Sequence, residues 1–442
     1  MILPSLLLSL AAALPPEEPQ AQLPGLVAIR VGRAETIAKG TLEHAVILVE
    51  NGKIVTIGED LPIARGIPVL DRPDWVVMPG LVNAYSRLGL EGDAGEEFNP
   101  EVKASRELYA GSEELQEVVK YGVTTLGLYP AGNGVCGQAV AIRPLAKTRE
   151  ELVLKDSSYL KIVLRASSSS KKALQDGFKK ADDYAEKEKK AKEKWDKEQE
   201  KKKKGSKSEE KKEEKKDEPK PEEKKDEAKP EEKKDSGGDA YVPPEPDPKT
   251  KPFLDLRAEK LRALVSVQSA AEYLHLIDAL GKEKILWDLR LPLARESDLF
   301  YVLDKKSYDL DVDGIGDRKA RCIVEPLLTV QPGTMRTRNL PMELARAGAK
   351  LVFVPRSDSL ADHKAWLSNV GEVVNAGLDR CAALRALTLE PAQLLGVDER
   401  LGSLEKNKDA NLLFFSGDPL EPSSKLEAVM LEGRVVFGEV KP

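Results

Sequence analysis

Histidine and cysteine, which often act as metal ligands or nucleophiles, are scarce in this 442-residue chain. Histidine occurs only at His44, His275 and His363, so a binuclear centre built from four histidines and a carboxylate cannot be assembled. His44 begins a strand-like run and His275 lies in a helix-patterned segment, and both positions favour a structural role. The cysteines form no CxxC pair and are odd in number, which indicates small buried residues: Cys136, Cys322 and Cys381.

The elements that must position such residues alternate along the chain. Apolar runs of strand length, such as 123–129, 160–164 and 350–355, alternate with helix-patterned segments, which is typical of a parallel sheet with crossover helices. At both ends, apolar and polar residues alternate instead, and the Asn51-Gly52 pair predicts a hairpin. The length and an apolar content of 41% indicate one large domain with attachments.

Two phrases resemble the metal-dependent amidohydrolase superfamily. Residues 79–87 read PGLVNAYSR, which is similar to the superfamily's PGL(I/V)DAHxH. Residues 377–420 are similar to its ending, in which ALRA(I/L)T-x-x-PA-x-(I/L)LG precedes GSLEPGKDADLVV and a GDP turn. The likeness covers nearly everything outside a charged insert and favours the imidazolonepropionase-like branch. It implies an α/β fold, a (β/α)8 TIM-type barrel with a composite β-sandwich built from both termini.

The resemblance and the composition together divide the chain into successive parts. These are a signal peptide at 1–22, the N-terminal part of the sandwich at 23–76, the first part of the barrel at 77–170, the charged insert at 171–252, the second part of the barrel at 253–400 and the C-terminal part of the sandwich at 401–442.

The resemblance also implies where a metal would bind. In the superfamily, the two histidines of HxH hold a divalent metal, and an aspartate at the end of the last barrel strand binds it and moves the proton of the attacking water. The positions that match the histidine ligands are here Tyr85, Arg87 and Gln268, and a guanidinium would repel a metal ion. Only Asp358 survives, so it is the predicted catalytic residue, although a helix cap or turn residue would stand at the same place.

No metal and no other cofactor is therefore predicted, where the superfamily would use zinc or another divalent ion. Since a buried carboxylate without a cation is costly, an Arg87–Asp358 ion pair is predicted instead, with Tyr85 and Gln268 completing the hydrogen bonds around it. His363, one turn beyond Asp358, is predicted to be solvated.

The charged insert has two parts. Leu174, Phe178, Ala181 and Ala185 recur at helical spacing, which predicts a helix that packs at its start and then projects into solvent. The near-repeats of KPEEKKD that follow bury too little to fold, and disorder is predicted over about 205–250. The insert is interpreted as a tolerated loop insertion on the barrel rim, as a spacer, or as a polyampholyte surface for another macromolecule.

The first 22 residues have a hydrophobic run that ends in small residues, which predicts export by a signal peptide, although no Lys or Arg precedes the run. The run is too short for a membrane span. The formal charge of -6 argues against a nucleic-acid partner, and the predicted partner is a small-molecule ligand at the barrel mouth, with the oligomeric state open.

Two classes of function remain. The resemblance implies a hydrolase of carbon–nitrogen bonds other than peptide bonds, such as those of cyclic amides, and the altered ligand positions predict that this activity is impaired. The alternative is a non-catalytic, exported protein that binds a ligand or has a structural role.

Overall fold

The computed structural model describes residues 25–92, 98–213, 241–280, 283–293, 320–331 and 333–440, without the side chains of Ala270 and of residues 201–213. The predicted signal peptide thus lies outside the described residues. In the part of the chain that is described, no helix combines the length and the apolar character needed to cross a membrane.

The strands follow one another in chain order as β1 (Leu26–Glu35), β2 (Thr41–Glu43), β3 (Ala45–Glu50), β4 (Lys53–Glu59), β5 (Val69–Pro79), β6 (Leu81–Ser86), β7 (Val123–Leu128), β8 (Gly134–Gln138), β9 (Val140–Ile142), β10 (Val153–Lys155), β11 (Leu160–Val163), β12 (Ala263–Ser266), β13 (Trp287–Arg290), β14 (Arg321–Val324), β15 (Thr329–Val330), β16 (Thr337–Arg338), β17 (Lys350–Phe353), β18 (Leu412–Phe415), β19 (Leu426–Leu431) and β20 (Arg434–Gly438).

The α-helices are α1 (Glu113–Glu117), α2 (Arg149–Leu152), α3 (Ser168–Glu213), α4 (Lys251–Arg257), α5 (Ala270–Leu280), α6 (Leu340–Arg346), α7 (Leu360–Asn375), α8 (Arg380–Leu387) and α9 (Leu389–Leu395), and short 3₁₀ turns span Ala104–Glu107 and Val118–Tyr121.

Both ends of the chain contribute to one eight-stranded sheet. Its order is β20-β19-β18-β5-β1-β3-β4, with β2 beside β1. The join between the termini is the antiparallel pairing of β5 with β18, in which Val77 lies opposite Phe414 and both side chains are fully buried. The predicted hairpin at Asn51-Gly52 is confirmed, because β3 and β4 pair across these two residues and both have the positive φ that a two-residue turn requires.

The middle of the chain forms two mixed sheets. One has the order β10-β9-β7-β6 and the other the order β17-β14-β13-β12-β11-β8. The strands β11, β12, β13, β14 and β17 are parallel neighbours, as are β6 and β7, whereas β8 and β9 run antiparallel to their neighbours. The chain is thus a mixed α/β protein. A closed barrel is not confirmed, since these two sheets do not join by strand pairing within the described residues.

One apolar cluster nevertheless spans the two middle sheets. It contains Val82 and Ala84 of β6 together with Leu264 of β12 and Val352 of β17, all of them almost fully buried. The hydroxyl of Tyr159 donates to the Ala84 carbonyl oxygen at 3.1 Å and ties the residue before β11 to β6. Strand ends from both sheets are therefore held close together.

The charged insert begins with the long helix α3. Leu174, Phe178 and Ala181 are buried, and Phe178 packs edge-on against Phe253 of α4 with 5.1 Å between ring centroids. Ala185 and most of the residues after it are exposed. The helix thus packs at its start and then projects, as the spacing of its apolar residues predicts.

The prediction of disorder over 205–250 is wrong at both ends of that range. The helix α3 continues to Glu213, and where the described chain resumes, the Tyr241 ring lies 5.7 Å from the ring of Trp195. Trp195 and Tyr241 are aromatic residues in an otherwise charged segment, and their contact holds residue 241 against α3. The average composition of the segment does not reveal such a contact. The remainder of the predicted range, 214–240, lies outside the described residues.

Candidate functional site

The carboxylate of Asp358 lies where β17 and β6 end side by side. Its Oδ1 accepts a hydrogen bond from the Ser86 hydroxyl at 2.6 Å, and its Oδ2 accepts from the backbone N–H of Arg87 at 2.8 Å. The cap of helix α7 is the next residue, Ser359, whose hydroxyl accepts from the Asp362 N–H. Asp358 is thus not the helix cap, and both of its oxygens are engaged by the end of β6.

The predicted ion pair between Arg87 and Asp358 is wrong. The Arg87 guanidinium donates to the carbonyl oxygens of Tyr129 at 3.0 Å and Gly92 at 2.8 Å, and it lies 3.9 Å from a Glu107 oxygen. Because Arg87 follows the last residue of β6, its side chain turns to the loop carbonyls while its backbone amide faces the carboxylate. Asp358 is therefore stabilised by a hydroxyl and an amide dipole instead of a cation.

Gln268 takes no part in this group of hydrogen bonds, contrary to the prediction. Its side chain is exposed, its Oε1 accepts from Arg165 at 2.8 Å, and its backbone N–H donates to Glu272 at 2.5 Å. It lies two residues beyond the end of β12, where the chain has already turned outward into α5.

His363 is buried, so the prediction of a solvated histidine is also wrong. Its Nδ1 lies 2.9 Å from the Ser359 carbonyl oxygen, which can only accept, so Nδ1 carries the proton and Nε2 accepts from the Asn83 amide at 3.3 Å. Burial lowers the pKa of His363, which keeps the ring neutral. Both ring nitrogens are thus committed to protein partners.

Tyr85 belongs to a cluster of aromatic and cationic side chains. Its ring lies 4.0 Å from that of Tyr129, centroid to centroid, and the Arg290 guanidinium carbon lies 5.2 Å from the Tyr85 centroid. The ammonium nitrogen of Lys161 lies 3.8 Å from the Tyr129 centroid and 5.7 Å from that of Tyr85. These distances are typical of cation–π contacts.

The two cations of the cluster, Arg290 and Lys161, differ in how their charges are stabilised. Arg290 forms a bidentate ion pair with Glu325, and both side chains are buried. Burial disfavours the charged form of Arg290, yet the adjacent Glu325 carboxylate outweighs it and raises the pKa of the guanidinium. Burial lowers the pKa of Lys161 to about 8, and burial raises the pKa of the neighbouring Cys136 thiol and of the Tyr85 hydroxyl.

The donor set at this place does not fit a divalent metal. Among the described residues, no three His, Cys, Asp or Glu side chains converge closely enough to hold an ion. Asp358 would have to give up its hydrogen bonds from Ser86 and Arg87, and the nearby imidazole of His363 has both ring nitrogens bonded to protein partners.

The sequence identifies Tyr85, Arg87 and Asp358 as neighbours but does not identify Lys161 or Tyr129 as members of the site. The available signal is a charged residue within a buried strand: Lys161 interrupts LKIV and Arg290 ends WDLR. Such residues are rarely buried unless they have a partner or a function.

The described cavities lie away from these residues. One of about 590 Å³ lies between the Asn51-Gly52 turn and the Glu432-Gly433 turn of the terminal sheet, and one of about 440 Å³ lies between Lys103 and α4. Neither cavity is lined by Tyr85, Tyr129 or Asp358.

Polar residues at the carboxyl ends of parallel strands define the general class of α/β proteins with a strand-end site. Residues 347–436 match the model of the amidohydrolase family. No curated protein matches the chain.

Solved structures share the fold. An amidohydrolase from Thermotoga maritima is 19% identical with a TM-score of 0.70, covering 93% of this chain and 100% of that one. A second amidohydrolase is 12% identical with a TM-score of 0.51, covering 94% and 100%. Residues 347–436 are thus similar to the amidohydrolase family, and the solved structures show that the chain shares their fold. The imidazolonepropionase-like branch stays a prediction.

Proposed function

We propose that this chain is an amidohydrolase relative that binds a small molecule at its strand ends and has lost most or all metal-assisted hydrolysis of carbon–nitrogen bonds. One observation carries the proposal: the single surviving ligand position, Asp358, is hydrogen-bonded through both oxygens to Ser86 and to the backbone of Arg87. A metal would have to displace these bonds and accept a guanidinium nearby. We therefore assign no catalytic step to a metal at this place.

The aromatic and cationic cluster supports the binding role. The rings of Tyr85 and Tyr129 are partly exposed, so this pair is the part of the cluster that a ligand reaches first. Behind the rings lie Lys161 and Arg290, whose charges disfavour a cationic ligand and favour a neutral or acidic one.

Hydrolysis of a non-peptide carbon–nitrogen bond, as in cyclic amides, is the second candidate. It is supported by the family match and by the position of Asp358 at a strand end, where the superfamily keeps its proton-transfer residue. Without a metal, Asp358 would have to activate the Ser86 hydroxyl or a water molecule. Ser86 is fully buried and also accepts from the Leu88 N–H, so its oxygen is shielded from a substrate.

We also infer that the two middle sheets belong to one (β/α)8-type barrel. The apolar cluster shared by β6, β12 and β17, the Tyr159–Ala84 hydrogen bond and the Ser86–Asp358 hydrogen bond support this arrangement. The helix α9 contacts both β6 and β17, which are the strands that must be neighbours for closure. An experimental structure in which β6 pairs with β17 and the two sheets also join at their other edges would establish the barrel.

The function is tested by metal analysis of the purified full-length chain. After incubation with Zn²⁺ or Mn²⁺ and extensive dialysis, mass spectrometry is expected to find well below one ion per chain, and cyclic amides are expected to hydrolyse no faster than in buffer. Asp358→Asn is the informative variant, and Asp362→Asn, whose carboxylate bonds only to Ser357 and Ser359, is the matched control. One retained ion per chain that Asp358→Asn loses and Asp362→Asn keeps would restore the hydrolase.

A further inference from the structure

Lys161 is an unusual buried cation. Its residue is only 6% exposed, and it forms no hydrogen bond or ion pair with the described residues. The other buried cations have carboxylate partners, since Arg290 pairs with Glu325 and Arg321 with Glu390. The ammonium of Lys161 rests on aromatic faces alone, which gives much less stabilisation than a carboxylate at the same depth.

Burial is the main reason why the charged form of Lys161 is disfavoured, because it removes the water around the ammonium group, and the Arg87 guanidinium adds a smaller repulsion. The Cys136 thiol acts in the opposite direction and raises the pKa of Lys161, but burial raises the pKa of the thiol itself and disfavours the thiolate. With a pKa of about 8, about one amine in ten is neutral near pH 7, against about one in 2,500 for an ordinary lysine.

The surroundings also suit a reaction with a carbonyl compound. Nζ lies 3.8 Å from the Tyr129 ring centroid and 5.7 Å from that of Tyr85, and both tyrosines are partly exposed, so a ligand that contacts this pair lies near the amine. Among the described residues, no carboxylate forms an ion pair with the amine, and the Cys136 thiol is the neighbour that favours its protonated form. A neutral amine in an apolar, aromatic environment is the form of lysine that acts as a nucleophile.

We propose that Lys161 is a nucleophilic amine that forms an imine with a small aldehyde or ketone bound against the Tyr85–Tyr129 pair. The Nζ lone pair attacks the carbonyl carbon, and the carbonyl oxygen takes up one amine proton to give a carbinolamine. Loss of the second amine proton together with the hydroxyl releases one water molecule and leaves the C=N bond. The step requires no oxidant, reductant or metal.

The imine site rests on the proposed binding of a small molecule at the Tyr85–Tyr129 pair, and the two are distinguished because metal retention and imine formation are measured separately. The test uses the wild-type full-length chain, acetaldehyde as the probe and cyanoborohydride, which reduces an imine to a stable N-ethyl amine. Peptide mapping by mass spectrometry then measures the labelling rate of each lysine.

Lys161 is expected to be labelled about tenfold or more faster than Lys350 near pH 7, because its neutral fraction is larger. Lys350 is a suitable comparison, since it begins β17 of the same sheet but is 40% exposed and lies near Glu390. Lys161→Met and Lys161→Arg should lose only this adduct, whereas Lys350→Met should keep it.

Labelling of Lys161 at the rate of Lys350 or slower, or adducts confined to other lysines, would overturn the proposal. The comparison within the wild-type chain decides the matter even if a Lys161 variant fails to fold. A second probe, glyoxylate, distinguishes the ligand classes: faster labelling than with acetaldehyde supports an acidic carbonyl compound, and slower labelling supports a neutral one.

Discussion

Removing one partner of the Arg290–Glu325 pair is the most informative perturbation of the site. Arg290 donates to both Glu325 oxygens and to the Ile323 carbonyl at 3.2 Å, and Glu325 also accepts from the Leu293 N–H at 2.7 Å. The two side chains are 9% and 6% exposed. Little water is therefore available to solvate the charge that remains after a substitution.

The expected magnitude follows from this burial. Arg290→Met should lower the free energy of unfolding by about 3–5 kcal/mol, because Glu325 is left as an uncompensated buried charge. Loss of the cation–π contact with Tyr85 adds about 0.5–2 kcal/mol. The double variant Arg290→Met/Glu325→Leu should recover part of this loss, because it removes both charges. Arg30→Met is the control, since its pair with Asp71 is about half exposed, and it should cost about 1 kcal/mol or less.

Urea unfolding followed by circular dichroism measures these differences, with the dependence on denaturant checked for each variant. A loss of about 1 kcal/mol or less for Arg290→Met, equal to that of Arg30→Met, would show that water reaches the pair. A double variant as unstable as the sum of its two single variants would refute the charge argument, since it would mean that Arg290 and Glu325 do not interact.

Two further predictions concern the insert and a buried ring. Leu174→Ala should cost about 2–5 kcal/mol in urea unfolding, because Leu174 is 1% exposed, whereas Lys187→Ala on the exposed part of α3 should change stability little. Burial lowers the pKa of His363, so the unfolded chain binds a proton first as the pH falls through about 6.5 and stability declines below that pH. His363→Gln should remove this part of the decline, His275→Gln should not, and an unchanged profile for His363→Gln would contradict the burial argument.

The features that the sequence predicts correctly are carried by local patterns. The Asn51-Gly52 hairpin depends on two adjacent residues that tolerate positive φ, and the buried start of α3 depends on apolar residues at helical spacing. The C-terminal phrase that matches the amidohydrolase family lies in α8, α9 and β18 and is a continuous stretch of sequence. Such local patterns predict structure regardless of whether the site is catalytic.

The partners of the site residues could not be predicted in the same way. Whether the side chain or the backbone amide of Arg87 faces Asp358 depends on where β6 ends and on which loop carbonyls lie nearby. His363 is buried because the first turn of α7 lies beside Asn83 of β6, a residue 280 positions away in the chain. A match to a sequence motif indicates which residues are neighbours, but it does not show which way each side chain points.

The observed partners of Arg87 and Asp358 also bear on Lys161, whose pKa is lowered mainly by burial and to a smaller extent by Arg87. In a site with an Arg87–Asp358 ion pair, the arginine charge would be neutralised and would repel the lysine less. In the structure, Asp358 is satisfied by Ser86 and an amide, and the Arg87 guanidinium is bound mainly to carbonyl oxygens, so its charge still acts on Lys161. The Glu325 carboxylate is bound in its ion pair with Arg290. The amine of Lys161 is then the group in the cluster that relieves the excess positive charge most readily by losing a proton, which is the form that attacks a carbonyl carbon.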